Sequence, residues 1–173
     1  MRIRRWAFVV PIFLALIVVS GIYSAGACPQ KDPAAPQDWP VWNGSPANLH
    51  YSSLNQINRS NVKQLRLAWT YDTGEKGGMQ TSPLVVGRVL YGISPTQKIF
   101  AVDATNGKLL WSFDSGVKGM QPDRGLAYWS SGEDKRILVG VMNFLYALDA
   151  TTGKPIQTFA TDGRIDLQEN LGR

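Results

Sequence analysis

The 173-residue sequence is nearly devoid of cysteine and histidine, with Cys28 and His50 the single examples. One cysteine excludes an intrachain disulfide and any metal site built on thiolates, so the fold has to hold by packing. His50 stands alone and reads as a surface residue rather than an acid–base group. Charge is also scarce, at 18% of residues, and the formal net charge is +5. Arg2, Arg4 and Arg5 supply three of those charges, and without them the balance falls from +5 to +2. The other basic residues are scattered, with no run or stripe, so no nucleic-acid partner is expected. Helical periodicity is missing as well; only Ser60 to Leu65 hints at a helical turn.

What is present begins with an address. Arg2, Arg4 and Arg5 precede the uncharged 17-residue run from Trp6 to Ile22, and Ala25-Gly26-Ala27 then offers the small-x-small pattern of a signal-peptidase site. Residues 1–27 are read as a signal peptide or an N-terminal membrane anchor. Cys28 after the small residues leaves a lipoprotein reading open. All three place the mature chain outside the cytoplasm, in the periplasm or on a membrane facing it. Residues 28–38, rich in proline, are read as a linker, and 39–173 as the folded region.

From Trp39 onward, short apolar runs alternate with glycine, proline, asparagine and aspartate. Leu65–Tyr71, Leu84–Val86, Val89–Ile93 and Ile137–Val141 read as strands, and Val86-Gly87-Arg88-Val89 as a hairpin. The fold class is all-β. An internal repeat refines it: Ala101, Asp103 and Gly107 return as Ala147, Asp149 and Gly153 at an offset of 46, and Trp69 returns as Trp111 at an offset of 42. A period in the forties, built from strands and a glycine turn, marks propeller blades. Asp103 and Asp149 read as turn formers, because aspartate bonds nearby backbone amides. Trp69 and Trp111 read as packing residues, and Ile99, Ala101, Leu109, Trp111 and Phe113 as the surface packing one blade on the next. At about 40 to 50 residues per blade, the part beyond the leader supplies two blades and parts of a third. Closed propellers need about four to eight, so the sequence reads as a fragment, a truncated product or one part of an assembly whose remaining blades are its partners.

The string from Ala101 through Trp111 resembles the tryptophan-docking motif of pyrroloquinoline quinone (PQQ) propellers. Trp42-Asn43-Gly44, Tyr51 to Asn58 and Leu65 to Trp69 resemble the lead-in of the dehydrogenases of that family. Arg124-Gly125-Leu126-Ala127-Tyr128-Trp129 resembles their loop that brings an arginine to the quinone carboxylates. The resemblance implies a partial β-propeller, with two blades and parts of a third of an eight-bladed quinoprotein dehydrogenase. It also implies PQQ and calcium as cofactors, an alcohol, sugar or polyol as substrate, and ubiquinone or a cytochrome as electron acceptor. Arg124 and Gln80 are the cofactor-binding residues it carries over. The guanidinium fork independently suits a tricarboxylate, while Tyr128 and Trp129 offer flat apolar surface; read without the resemblance, Arg124 is a loop brace. The catalytic carboxylate and the calcium ligands belong to later blades, and no catalytic or metal residue is assigned here.

Two departures stand out. Gln157 occupies the place of the second copy's tryptophan, and Met120-Gln121-Pro122-Asp123 replaces the adjacent cysteine pair of many alcohol-oxidising members, which tilts the reading toward sugars or polyols. A non-catalytic scaffold of the outer-membrane assembly lipoprotein type, or an inactive truncated remnant, are the alternative readings. The lead-in and the arginine loop favour the enzyme.

Overall fold

The computed structural model describes residues 38–119, 123, 125–169 and 171. The leader, most of the linker and Arg124 therefore lie outside the described residues. Among those described, no helix is long and apolar enough to cross a membrane.

Eight strands form two four-stranded antiparallel meanders. The first sheet runs in the order β1 (Leu84–Val86), β2 (Val89–Ile93), β3 (Ile99–Asp103), β4 (Leu109–Phe113). The second runs β5 (Leu126–Ser131), β6 (Asp134–Val141), β7 (Phe144–Asp149), β8 (Arg164–Asp166). Each is one blade, and the all-β, partial-propeller expectation holds. Val86 pairs with Val89 across the expected hairpin, where Gly87 takes a φ of 61°. The expected helical turn is a short 3₁₀ segment, Val62–Gln64.

The repeated turns show why the sequence returns at a fixed offset. Asp103 Oδ1 accepts the Thr105 N–H at 2.8 Å, and the Gly107 N–H reaches the Asp103 carbonyl at 2.8 Å. Asp149 Oδ1 likewise accepts the Thr151 and Thr152 N–H groups at 3.0 and 2.7 Å, while the Gly153 N–H reaches the Asp149 carbonyl at 2.8 Å. Gly107 and Gly153 close these turns at φ of 75° and 70°, a region that costs residues with a Cβ.

The two sheets stack through one apolar cluster. Tyr91, Ile93, Ile99, Ala101 and Trp111 of the first sheet meet Ile137, Val139, Val141, Tyr146 and Leu148 of the second. Tyr91 Oη donates to the Ala150 carbonyl at 3.2 Å, and burial, then Tyr128 and Asp149, pushes its pKa up to about 12. Phe113 lies 5.5 Å from Tyr146, centroid to centroid. Leu109, expected in this interface, is instead exposed.

Leu65–Tyr71 is not a strand. Among the described residues nothing pairs with it along either edge, and Leu67 is 81% exposed. Its aromatics nonetheless dock on the first sheet as β4 docks on the second. Trp69 Nε1 donates to the Ala104 carbonyl at 3.1 Å and Trp111 Nε1 to the Ala150 carbonyl at 3.1 Å. Tyr71 lies 4.9 Å from Phe100, matching Phe113 on Tyr146. At Gln157 the copy breaks. Pro155 bridges Leu148, residues 157–162 leave the sheet, and bonding to β7 resumes where the Gly163 carbonyl accepts the Ala147 N–H at 3.0 Å and Arg164 stands opposite Tyr146. Gln157 itself is exposed.

Candidate functional site

In the first sheet, the antiparallel order puts the start of β1 and the end of β4 at the same end. The segment 74–83 feeds β1 there, and the segment 114–125 leads from β4 to β5. Gln80 lies in the former, exposed, and its amide meets no hydrogen-bond partner among the described residues. Around it the chain is tied down. The Thr81 hydroxyl donates to the Asp123 carbonyl, which joins the two segments. Ser82 Oγ accepts Trp42 Nε1–H at 3.0 Å, and Trp39 pairs with Val85 through two main-chain bonds of 2.6 and 3.0 Å. Asp123 Oδ1 accepts the Gly125 N–H at 3.2 Å.

The base of the Gln80 segment is held by Glu75, whose side chain is 11% exposed. Its Oε2 accepts the Thr96 N–H at 2.9 Å, and its Oε1 lies 3.6 Å from Lys98 Nζ. Burial works to raise the Glu75 pKa, but hydrogen bonds from Ser94 and Thr96 and the Lys98 charge outweigh it and hold the carboxyl below its usual range. Lys98 also meets Asp114 at 3.4 Å. Beside this network lies a cavity of about 420 Å³ walled by Lys98, Asp114, Lys118 and Gly119; Gln80 does not line it. Gly119 is buried, and a Cβ there would meet Gln97 Oε1 and come within 2.7 Å of Met142 Sδ, so a side chain at this position would require those two side chains to move aside.

Two expectations change in this region. Residues 126–129, which the resemblance puts in a loop, instead begin β5, because Leu126 to Ser131 pair in register with Val139 to Asp134. Strand alternation then sends Tyr128 and Trp129 to opposite faces. Tyr128 lies 6.3 Å from Tyr91 inside the sheet stack, and Trp129 carries the Arg136 guanidinium at 5.2 Å on the other face, so the two do not form one flat surface. Arg124 lies outside the described residues. The sequence reading missed Glu75, Thr81 and Ser82, since a hydrogen bond between distant segments leaves no local pattern.

His50 is exposed as expected and stands edge-on to Trp42 at 6.1 Å. Among the described residues, no three His, Cys, Asp or Glu side chains gather to hold a metal ion.

Two stacked meanders of this repeat, joined by Trp111 set on the Gly153 turn, define a blade pair of a β-propeller. Residues 39–173 match the family model described as the PQQ "Glucose/ethanol/alcohol dehydrogenase, beta-propeller domain", and the chain belongs to that family. Among its relatives, the dehydrogenase subunit of the alcohol dehydrogenase (quinone) of Gluconobacter oxydans (strain 621H) is 39% identical over 135 residues, covering 73% of this chain and 17% of the relative. The quinoprotein glucose dehydrogenase of Escherichia coli (strain K12) is 32% identical over 180 residues, covering 88% and 23%. The crystal structure of the quinohemoprotein alcohol dehydrogenase of Comamonas testosteroni superposes with a TM-score of 0.69 at 29% identity, over 81% of this chain and 21% of that one. The chain thus spans about a fifth of the length of these relatives.

Proposed function

We propose that this chain forms the first blades of an exported quinoprotein dehydrogenase that oxidises an alcohol, sugar or polyol, with Gln80 and Arg124 contributing to the PQQ site. The observation that carries the reading is the meeting of two segments at one end of the blade pair. Gln80 stands exposed between tethered neighbours in one of them, and Arg124 follows Asp123 in the other.

The chemistry of these groups suits the cofactor. Pyrroloquinoline quinone is flat, with carboxylates and carbonyls at its rim. The Gln80 amide can both donate and accept there, and an arginine pairs with a carboxylate through two parallel N–H bonds. When bound, the quinone supplies the hydride acceptor, and calcium held by residues outside this blade pair polarises it. The part played by these blades is to bind and orient. Ubiquinone or a cytochrome is the proposed electron acceptor, and the periplasm or a membrane facing it the proposed location.

The test is quinone affinity of the longer protein that carries this chain, measured by titration of the cofactor's absorbance. Arg124→Ala is expected to weaken binding about 10- to 100-fold, as for loss of a charge-assisted pair, and Gln80→Ala about fivefold. Unchanged affinity in both variants would remove this end of the blades from the cofactor site.

A further inference from the structure

We infer that Thr81 is a positioning residue for the cofactor site, locking the segment that carries Gln80 to the segment that leads into β5; the inference rests on the cofactor reading above. Gln80 is flanked by fixed points. Upstream, the nearly buried Glu75 carboxylate grips the β2–β3 turn through the Thr96 N–H and Lys98. Downstream, Ser82 accepts the Trp42 indole N–H, and Val85 is paired with Trp39. Each of these bonds ties the Gln80 segment to the first sheet or to the lead-in. Thr81 alone, among the hydrogen bonds made by residues 75–85 in the described residues, reaches across to the approach to the second sheet.

Its acceptor is main chain, not a mobile side chain. The Asp123 carbonyl is held by Thr81 while the Asp123 carboxylate takes the Gly125 N–H, so Asp123 is bonded through both its main chain and its side chain. Both Thr81 and Asp123 are half-buried, which shields the bond from competing water. Residues placed to bind one rigid ring have to hold their spacing to a fraction of an ångström, and a hydrogen bond from the side chain beside one of them to the main chain beside the other is a short way to do so. Thr81 does this without touching the cofactor.

The experiment compares Thr81→Val, which keeps the shape and loses the hydroxyl, with Thr81→Ser, which keeps the hydroxyl. Thr81→Ala is a second variant in case valine disturbs folding. Hydrogen–deuterium exchange on the full chain reads the tether directly. The expected result is exchange in peptides covering 117–127 raised about fivefold in Thr81→Val and restored in Thr81→Ser, with β6 and β7 unchanged. Quinone affinity in the longer protein should fall about fivefold in Thr81→Val and recover in Thr81→Ser. Unaltered exchange in both Thr81→Val and Thr81→Ala would overturn the tether. Raised exchange with unaltered quinone affinity, while Gln80→Ala still weakens binding, would overturn the positioning role and leave the site standing. If Gln80→Ala and Arg124→Ala also leave affinity untouched, the cofactor reading is what has failed, and the role of Thr81 falls with it.

Discussion

The indole of Trp111 fills the space that a Cβ on Gly153 would need. A methyl built there would fall on Cε3 of the ring and lie 2.5 Å from Cδ2, while the ring N–H reaches the carbonyl of Ala150 in the same turn. One turn therefore closes its own hairpin and receives the neighbouring blade, and the residue that allows both is glycine.

Gly153→Ala should accordingly be among the most damaging single-methyl additions in the protein. It combines a φ of 70° with a collision against a ring that is only 8% exposed. The conformational cost of about 1–2 kcal/mol adds to an overpacking cost of about 1–3 kcal/mol. Chemical denaturation should show a loss of about 3 kcal/mol; a change of a few tenths would mean the turn and ring adjust freely and the close fit carries little energy.

Trp69 and Trp111 make the same hydrogen bond, yet they should not be worth the same. Trp111 is paired within the first sheet and packed on the second, whereas Trp69 projects from a segment without strand partners among the described residues and is only half-buried. Trp111→Ala should cost about 3–5 kcal/mol, in the range for a buried aromatic, and Trp69→Ala distinctly less. Equal losses in equilibrium unfolding would show that the 65–71 segment is as firmly integrated as β4.

The blade pair was legible in the sequence because its determinants are local and repeated. Asp103-to-Gly107 and Asp149-to-Gly153 are turns whose hydrogen bonds are internal, and the apolar residues between them alternate. Leu65–Tyr71 misled for a related reason. Its aromatic and aliphatic pattern is that of β4, but a strand also needs a neighbour with free N–H and C=O groups, and pattern alone does not supply one. Leu109 sits at the start of β4, where the sheet edge leaves it in solvent although the period assigns it to the core. The start of β5 was hidden by the glycine and arginine before it, which suggest a loop. In the candidate site, Gln80 was found by resemblance, whereas Glu75 and Thr81 became visible only once segments 21 and 42 residues apart had been brought together by the fold.

The Glu75 anchor makes stability depend on acid in a defined direction. Its carboxyl is held below the usual 4.5, against the effect of burial, by the Ser94 and Thr96 hydrogen bonds and by Lys98. The folded state thus holds the proton less tightly than the unfolded chain does, and ionised Glu75 favours folding. That contribution is complete above the unfolded value near 4.5 and drains away as the pH falls through the lower folded value. Glu75→Gln keeps an acceptor for the Thr96 N–H but has no charge to offer Lys98, which retains Asp114. The Tm of the variant should therefore lie below that of the parent by a constant margin well above pH 4.5, and the margin should narrow progressively below it. The same acid range should loosen the 74–83 segment before the sheets, read as faster hydrogen exchange there than in β3 or β7. A margin independent of pH would show that Glu75 acts by shape alone, and that the ionic part of the anchor contributes nothing to holding Gln80 in place.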